Sequence, residues 1–205
     1  MKYIITRKQY NLISEGKDQD IFVIPSVKMF NDWENLQIFL KRRGYPPYSI
    51  NDNVDLYNSE VRTLGNLRSV KGNLDLSFSK IVSLGNLTSV NGSLNLNNTE
   101  IRSLGNLVSV GEILDLNHTK LLSLGNLTSV GNTLRLKNTE ITSLRDLTYV
   151  GGSLDITNTN ITSFGNLKYV GRDLYLRDTP FTQNVSTYRI ENIKNLIDIG
   201  GNVYF

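Results

Sequence analysis

The sequence predicts a β-solenoid, in which each turn of the chain is one repeat and short parallel strands stack along one axis. Two observations carry this prediction. From Asn53 the 205-residue chain repeats itself every 20 residues without a slip, and each repeat holds Leu-x-Leu or a close variant, an alternation typical of a strand with one buried face. A fixed period of this length indicates stacked repeats, because it places equivalent apolar positions in register.

Six apolar positions in every repeat are expected to face a common core. Leu94 and Leu96 represent the Leu-x-Leu pair, and Leu104, Leu107 and Val110 represent a second apolar trio that follows it. The sixth column contains Val61, Ile81, Ile101, Leu121, Ile141, Ile161 and Phe181. Ordering one repeat costs more conformational entropy than six buried side chains return, so stability must come from stacking.

Glycine and asparagine are expected to mark the corners between strands. Gly65, Gly85, Gly105 and Gly125 recur at one corner, where glycine lets the backbone turn without steric cost. At the corner after Leu-x-Leu we expect a column of turn residues, most of them asparagine. Its members are Asn58, Phe78, Asn98, His118, Asn138, Asn158 and Asp178.

A hydroxyl column stands beside these corners and has two interpretations. It contains Ser59, Ser79, Thr99, Thr119, Thr139, Thr159 and Thr179. An exposed row of threonines would suit an ice-binding solenoid. We favour buried hydroxyls that satisfy corner carbonyls, because the residue two places after Thr99 is the inward Ile101 and not a second outward threonine.

The next column alternates in charge from repeat to repeat. It contains Glu60, Lys80, Glu100, Lys120 and Glu140, and then Asn160. Opposite charges one coil apart are predicted to support stacking, each pair by about a few tenths of a kcal/mol.

The predicted organisation is one continuous domain with capped ends. Residues 1–50 form an N-terminal α/β cap, residues 51–182 form six to seven repeats, and residues 183–205 form a loop and a closing coil. The closing coil is predicted because Ile193–Phe205 aligns with Phe164–Leu176 at an offset longer than one repeat, which leaves an extra loop before it.

Two strands and two helices are predicted in the cap. The strands are 2–6 and 20–24, and a capping box at Thr6-x-x-Gln9 predicts a helix that ends by Gly16. Asn31-x-x-Glu34 predicts the start of a second helix. Its apolar face contains Trp33, Leu36, Phe39 and Leu40.

Composition excludes much chemistry. The chain has no cysteine and a single histidine, His118, which removes disulfides, thiolate sites and most imidazole catalysis. No phosphate-binding or nucleophile motif is present, so we predict a non-enzymatic protein without cofactor or metal.

The formal net charge of +3 comes from residues 1–50 alone, which disfavours nucleic acid as a partner. No apolar run reaches membrane-spanning length and no signal peptide is evident, so we expect a cytoplasmic protein without membrane contact.

The repeat resembles the leucine-rich-repeat family. Leu94-x-Leu96-x-x-Thr99-x-Ile101 matches the second half of that family's unit, and the stretch 89–94 is similar to receptor L domains. The resemblance covers residues 50–182, but the first leucine of the family unit is missing. It implies a right-handed stack of coils with turns in place of convex helices, and partner binding on the exposed sheet face.

The outward positions of the Leu-x-Leu strands are the main candidate binding surface, because the repeat varies most there. They are Asp55, Tyr57, Asp75, Asn95, Asn97, Asp115, Asn117, Arg135, Lys137, Asp155, Tyr175 and Arg177. We predict a protein-interaction module that docks a protein partner on this face. A structural or decoration subunit, for example of a virion, stays open as an alternative and would self-associate through its end coils.

A secondary patch departs from the repeat consensus elsewhere. It consists of Arg145, Tyr149, Lys168 and Tyr169, where most repeats have small or uncharged residues. Tyrosine and arginine are common at interface hot spots, so this patch is a second candidate surface.

Overall fold

Each repeat contributes one short strand to each of two sheets, and the predicted β-solenoid is confirmed. The computed structural model describes residues 14–15, 21–182 and 193–205. In the repeats, strand pairing is parallel between neighbouring coils, as in Leu94↔Leu114 and Val90↔Val110. Because each residue pairs with its equivalent in the next repeat, side chains at equivalent positions lie above one another along the stack.

Strands are numbered in chain order. The Ser-Val sheet has ten strands in the order β1 (Ser14–Glu15), β2 (Phe22–Ile24), β3 (Tyr48–Ile50), β5 (Leu67–Val70), β7 (Ser89–Val90), β9 (Ser109–Val110), β11 (Ser129–Val130), β13 (Tyr149–Val150), β15 (Tyr169–Val170) and β17 (Asp198–Ile199). The Leu-x-Leu sheet has eight strands in the order β4 (Val54–Asp55), β6 (Leu74–Asp75), β8 (Leu94–Asn95), β10 (Leu114–Asp115), β12 (Leu134–Arg135), β14 (Leu154–Asp155), β16 (Leu174–Tyr175) and β18 (Val203–Tyr204).

The core lies between the sheets and consists of the predicted columns. Leu94, Leu96, Leu104 and Leu107 are fully buried, and so are their equivalents in the central coils. The sixth column is buried from Ile81 to Ile161, and only its end members are partly exposed. The inward half of the repeat therefore follows from its period alone.

On a third side of the solenoid, backbone bridges connect the coils in separate pairs. Isolated bridges connect Thr63 to Ser83, Ser103 to Ser123 and Ser143 to Ser163, and within residues 21–182 none connects one such pair to the next. The charged column follows the same pairing. Nζ of Lys80 lies 3.0 Å from Glu60, and Nζ of Lys120 lies 2.6 Å from Glu100. The predicted stacking ion pairs are confirmed for these two pairs of residues. On this side of the solenoid the contacts between coils therefore repeat every two coils and not every coil.

The hydroxyl column is buried, as the favoured interpretation predicts. Oγ1 of Thr99 donates to the carbonyl oxygen of Leu96 at 2.8 Å, and from Ser79 to Thr179 each hydroxyl makes the same bond three residues back. The corner column also behaves as predicted, because all seven members have φ between +50° and +59°. Threonine and asparagine are thus corner residues.

The cap differs from its prediction at two helix boundaries. Helix α1 (Trp33–Lys41) begins after Asp32, whose carboxylate accepts the Asn35 N–H at 2.8 Å. The predicted start at Asn31 is wrong, because Asn31 ends a 3₁₀ helix over Val27–Phe30 with φ of 70°. In α1 the predicted apolar residues Leu36, Phe39 and Leu40 are buried, and Trp33 is half-buried.

The first predicted helix is wrong at its end, and the second predicted strand is present. Strand β1 pairs antiparallel with β2, where the prediction has the last turn of a helix. A non-local pairing thus overrides the local capping signal. The rest of that helix and the predicted strand 2–6 lie outside the described residues.

The closing coil follows the predicted offset. Strands β17 and β18 pair with β15 and β16 through Tyr169↔Asp198 and Leu174↔Val203, a register of 29 residues. Residues 193–196 form a helical turn before this coil.

The paired third side predicts unequal effects of one substitution at two equivalent glycines. Gly85 and Gly105 have φ of 60° and 58°, so alanine costs about 1–2 kcal/mol at either position. A Cβ on Gly85 would also lie 2.3 Å from the Gly65 carbonyl oxygen, whereas one on Gly105 meets open space. Urea unfolding should show the larger loss of stability for Gly85→Ala. Equal losses would contradict the pairing of coils.

The hydroxyl column predicts a second contrast. Oγ of Ser79 donates to Leu76, whereas the buried Oγ of Ser59 has no hydrogen-bond partner within the described residues. Ser79→Ala should lower the free energy of unfolding by about 1 kcal/mol, and Ser59→Ala should leave it unchanged or raise it. Thermal unfolding of both variants measures the difference, and a loss at Ser59 equal to that at Ser79 would refute the assignment.

Candidate functional site

The predicted sheet-face residues form two outward columns along the Leu-x-Leu sheet. The first column starts at Asp55 and lies between the two inward residues of each strand, and the second starts at Tyr57 and lies just after the strand. Equivalent members are one coil apart in a fixed register. The two columns therefore form one continuous, regularly spaced surface.

The acidic members of the first column accept backbone hydrogen bonds at the corners of their own coils, and we say that they brace these corners. Oδ1 of Asp75 accepts hydrogen bonds from the N–H of Ser77 at 2.9 Å and from its hydroxyl at 2.6 Å. The same bond to the N–H two residues on is made by Asp55, Asn95, Asp115 and Asp155. The acidic and amide character of this half of the face is therefore explained by the backbone it satisfies.

A parallel ladder runs along the column just before the strands. Oδ1 of Asn53 accepts the N–H of Asn73 at 2.7 Å, and Oδ1 of Asn73 accepts the N–H of Ser93 at 2.8 Å. These bonds connect successive coils. In these coils the polar residues on both sides of the strand are therefore structural.

Two residues of the first column are not braces. The Arg135 guanidinium lies 3.2 Å from the Asp115 carboxylate one coil earlier, so it is held by an ion pair. The Tyr175 ring stacks on Tyr204 with centroids 4.9 Å apart, and its hydroxyl donates to Asp173 at 3.4 Å. Desolvation and the Asp173 carboxylate raise the pKa of the Tyr175 hydroxyl.

Lys137 and Arg177 present their charges to solvent beside these residues. The Lys137 backbone N–H is fixed by Asn117 Oδ1 at 2.9 Å, but its side chain is exposed. The Arg177 side chain is 76% exposed, and its nearest carboxylate is that of Asp178 at 3.7 Å. Together with Tyr175 and Tyr204, these two cations form what we call the cation–aromatic patch.

Tyr204 was missed in the sequence although a signal existed. The longer offset that predicts the closing coil also places Tyr204 in the same column as Tyr175. Its ring is 44% exposed and extends the patch by one coil.

A second exposed aromatic pair lies at the other end of the face. Tyr57 and Phe78 are 59% and 51% exposed, and their rings meet edge to face at 5.8 Å. Phe78 has φ of 58°, a backbone conformation that a bulky side chain rarely adopts and that asparagine tolerates in other coils. Burial does not explain a phenylalanine at this position, so the pair is a candidate for binding. In the sequence, Phe78 is grouped with the corner residues, and that grouping does not indicate a binding role.

The secondary patch is only partly assembled. Tyr149 and Tyr169 lie on the Ser-Val sheet and stack with centroids 5.2 Å apart at 8°. Lys168 is exposed beside Tyr169, whereas Arg145 occupies the corner where other coils have glycine, with φ of 46°. The two tyrosines form a surface feature, and Arg145 has a corner role of its own.

The described residues contain neither a cluster of metal ligands nor a helix suited to spanning a membrane. Across residues 21–182 and 193–205 no three His, Asp or Glu side chains cluster closely enough to hold a metal ion. His118 is exposed, and its ring lies 3.1 Å from the Asn138 side-chain amide. None of the described helices has the length and apolarity needed to cross a bilayer.

No family model, curated protein or solved structure gives a significant match to the chain. The leucine-rich-repeat resemblance therefore stays a prediction.

The bracing of the corners predicts how Asp75 responds to substitution. Asp75→Asn keeps the oxygen that accepts from Ser77, so it should change the free energy of unfolding little. Asp75→Ala removes the acceptor from two donors and should cost about 1–2 kcal/mol. Thermal or urea unfolding of both variants provides the measurement. Equal stability of the two would show that the carboxylate does not brace the corner.

Proposed function

We propose that this chain is a non-enzymatic protein-interaction module of leucine-rich-repeat type, which docks an acidic segment of a protein partner on its cation–aromatic patch. The observation that carries the proposal is the exposed Arg177 in the same coil as Tyr175, whose ring stacks on Tyr204, together with the exposed Lys137 two coils earlier on the same face. The other polar side chains of the face are largely engaged in corner bonds or ion pairs.

Composition and rigidity support this proposal. Tyrosine and arginine are enriched among residues that dominate binding energy at protein interfaces. The patch stands on strands β12, β16 and β18, and the inward residues Leu134 and Leu174 of the first two are fully buried. Because a preorganised surface loses little conformational entropy on binding, affinity does not require rearrangement. Exposed cations on this part of the face would steer an acidic partner toward it.

The alternatives have less support. An ice-binding surface needs an exposed row of hydroxyls, and Thr99 and its equivalents bury theirs. A structural subunit would stack through an end coil, and the exposed Leu196 beside the closing coil is the main feature that favours it.

Two charge reversals test the proposed surface. Lys137→Glu combined with Arg177→Glu should reduce partner capture at least tenfold, equivalent to about 1.4 kcal/mol, because an acidic segment would then meet like charge. The melting temperature should stay near the wild-type value, since both side chains are exposed. Arg135 is left unchanged because its reversal would place a second carboxylate against Asp115.

The matched control combines Lys71→Glu with Arg102→Glu, which makes the same charge change at exposed positions outside the Leu-x-Leu strands. Affinity capture from cells of the source organism, followed by quantitative mass spectrometry, compares the three proteins. A partner retained by the wild type and the control but lost from the patch variant supports the proposal. Identical capture by all three would exclude the patch as the docking surface.

A further inference from the structure

A groove of about 670 Å³ lies between the N-terminal cap and the first coil. Val27 and the half-buried Trp33 line it from the cap, and strand β4 and Tyr57 line it from the first coil. It lies at the opposite end of the Leu-x-Leu sheet from the cation–aromatic patch, because β4 and β18 are the two ends of that sheet.

No described strand pairs with the edge of strand β4 that lies away from the second coil. The N–H groups of Val54, Leu56 and Asn58 donate to that coil, at 2.8 to 2.9 Å. In a parallel ladder alternate residues point to opposite edges, so the N–H and C=O of Asp55 point away from the second coil. Among the described strands none pairs with this edge, since the Ser-Val sheet alone continues into the cap.

The groove is acidic. Among the described residues that line it, four carry carboxylates, namely Asp32, Glu34, Asp52 and Asp55, and one, Lys28, carries a positive charge. Hydrogen bonds from the Ser26 hydroxyl and the Asn53 N–H lower the pKa of Asp52 and so favour its charged form. A ligand that fills the groove must therefore be basic, because burying unpaired carboxylates is costly.

An exposed aromatic ring beside the groove is available to such a ligand. The exposed ring of Tyr57 lies at the border of the groove and contacts Phe78, which accounts for the unusual phenylalanine at that corner. Aromatic faces of this kind attract lysine and arginine side chains.

We infer that this groove binds an extended, basic peptide segment of a partner protein as an added parallel strand beside β4. The peptide takes the place of a preceding coil. Its alternate N–H groups donate to the carbonyl oxygens of Asn53, Asp55 and Tyr57, and one peptide carbonyl accepts the Asp55 N–H, which repeats the bonds that β4 makes to β6. Strand addition of this type gives affinity through the backbone and specificity through alternate side chains.

The alternation of the added strand sets the peptide's sequence requirement. Side chains on the inward face extend toward Val54 and Leu56 and should be apolar, as at every other coil. Side chains on the outward face extend toward Asp55 and Tyr57 and should be lysine or arginine. This partner has the opposite charge from the one proposed for the cation–aromatic patch, so an experiment can refute either proposal and leave the other standing.

Selection of random dodecapeptides displayed on phage, with the intact chain as target, tests the inference. The expected sequences alternate apolar and basic residues, and the synthesised peptides should bind more weakly at high salt. Glu34→Lys should weaken their binding at least tenfold in fluorescence anisotropy. The control Glu140→Lys, an equal charge change on the exposed charged column, should leave it unchanged. Failure to select peptides, selection of acidic ones, or equal binding by the two variants would overturn the inference.

Asp55 provides the test of strand addition itself. Asp55→Pro removes the N–H that the peptide carbonyl needs, at a free edge where proline is tolerated, whereas Asp55→Ala keeps that N–H. Binding should be at least tenfold weaker for the proline variant than for the alanine variant. If the proline variant does not fold, hydrogen exchange of the Asp55 amide in the wild type replaces it, and peptide should slow that exchange. Equal affinities, or unchanged exchange, would exclude an added strand.

A second copy of the chain is the alternative molecule that could fill the groove. Sedimentation of the wild type alone at increasing concentration should show a monomer. Self-association that Glu34→Lys abolishes and Glu140→Lys does not would assign the groove to a second copy and overturn the peptide assignment.

Discussion

Hydrogen bonds from short side chains to the backbone at each corner are the interaction on which this solenoid depends. Most of its strands are two residues long, so the ladders between coils leave many corner N–H and C=O groups without a backbone partner. Asp75 satisfies the N–H two residues on, and Thr99 satisfies the carbonyl three residues back. Since every coil repeats these corners, the same residue types recur in each repeat, and the apolar columns between them can stay in register.

This constraint decides where function can reside. Outward positions that look variable in sequence are largely committed, because an aspartate or asparagine there braces its own coil. The positions left for binding are departures from the repeat consensus, such as Phe78 and Lys137, and the ends of the Leu-x-Leu sheet, where one strand edge has no neighbouring coil in the described residues. The two regions proposed for binding differ in their exposed charges, because four carboxylates line the groove beside the cap and the cations Lys137 and Arg177 lie nearer the closing coil.

The sequence predicts the fold well because each column depends only on its neighbours one coil away. The burial of Leu94, the left-handed corner at Asn98 and the register of the closing coil all follow from the repeat. The brace made by Asp75 could not be predicted, since alternation shows which way a side chain points and not which backbone group it bonds. The pairing of coils in twos depends on backbone spacing, and the alternation of Glu60 and Lys80 was its only sequence signal. The groove and the strand at Ser14–Glu15 depend on contacts between the cap and its surroundings, for which the repeat gives no template.

Amide hydrogen exchange of the native chain tests the role of the corners most directly. The N–H groups of Ser77, Asn117 and Thr157 lie at corners and bond only to the carboxylates of Asp75, Asp115 and Asp155 in the described residues. If those carboxylates hold the coils together, these amides should be protected to the same degree as those of the neighbouring strands, such as Leu76 and Leu116. Exchange at the rate of an unstructured peptide would contradict the account, because the acids would then be free surface groups. Binding would then no longer be limited to the ends of the sheet and the departures from the repeat consensus.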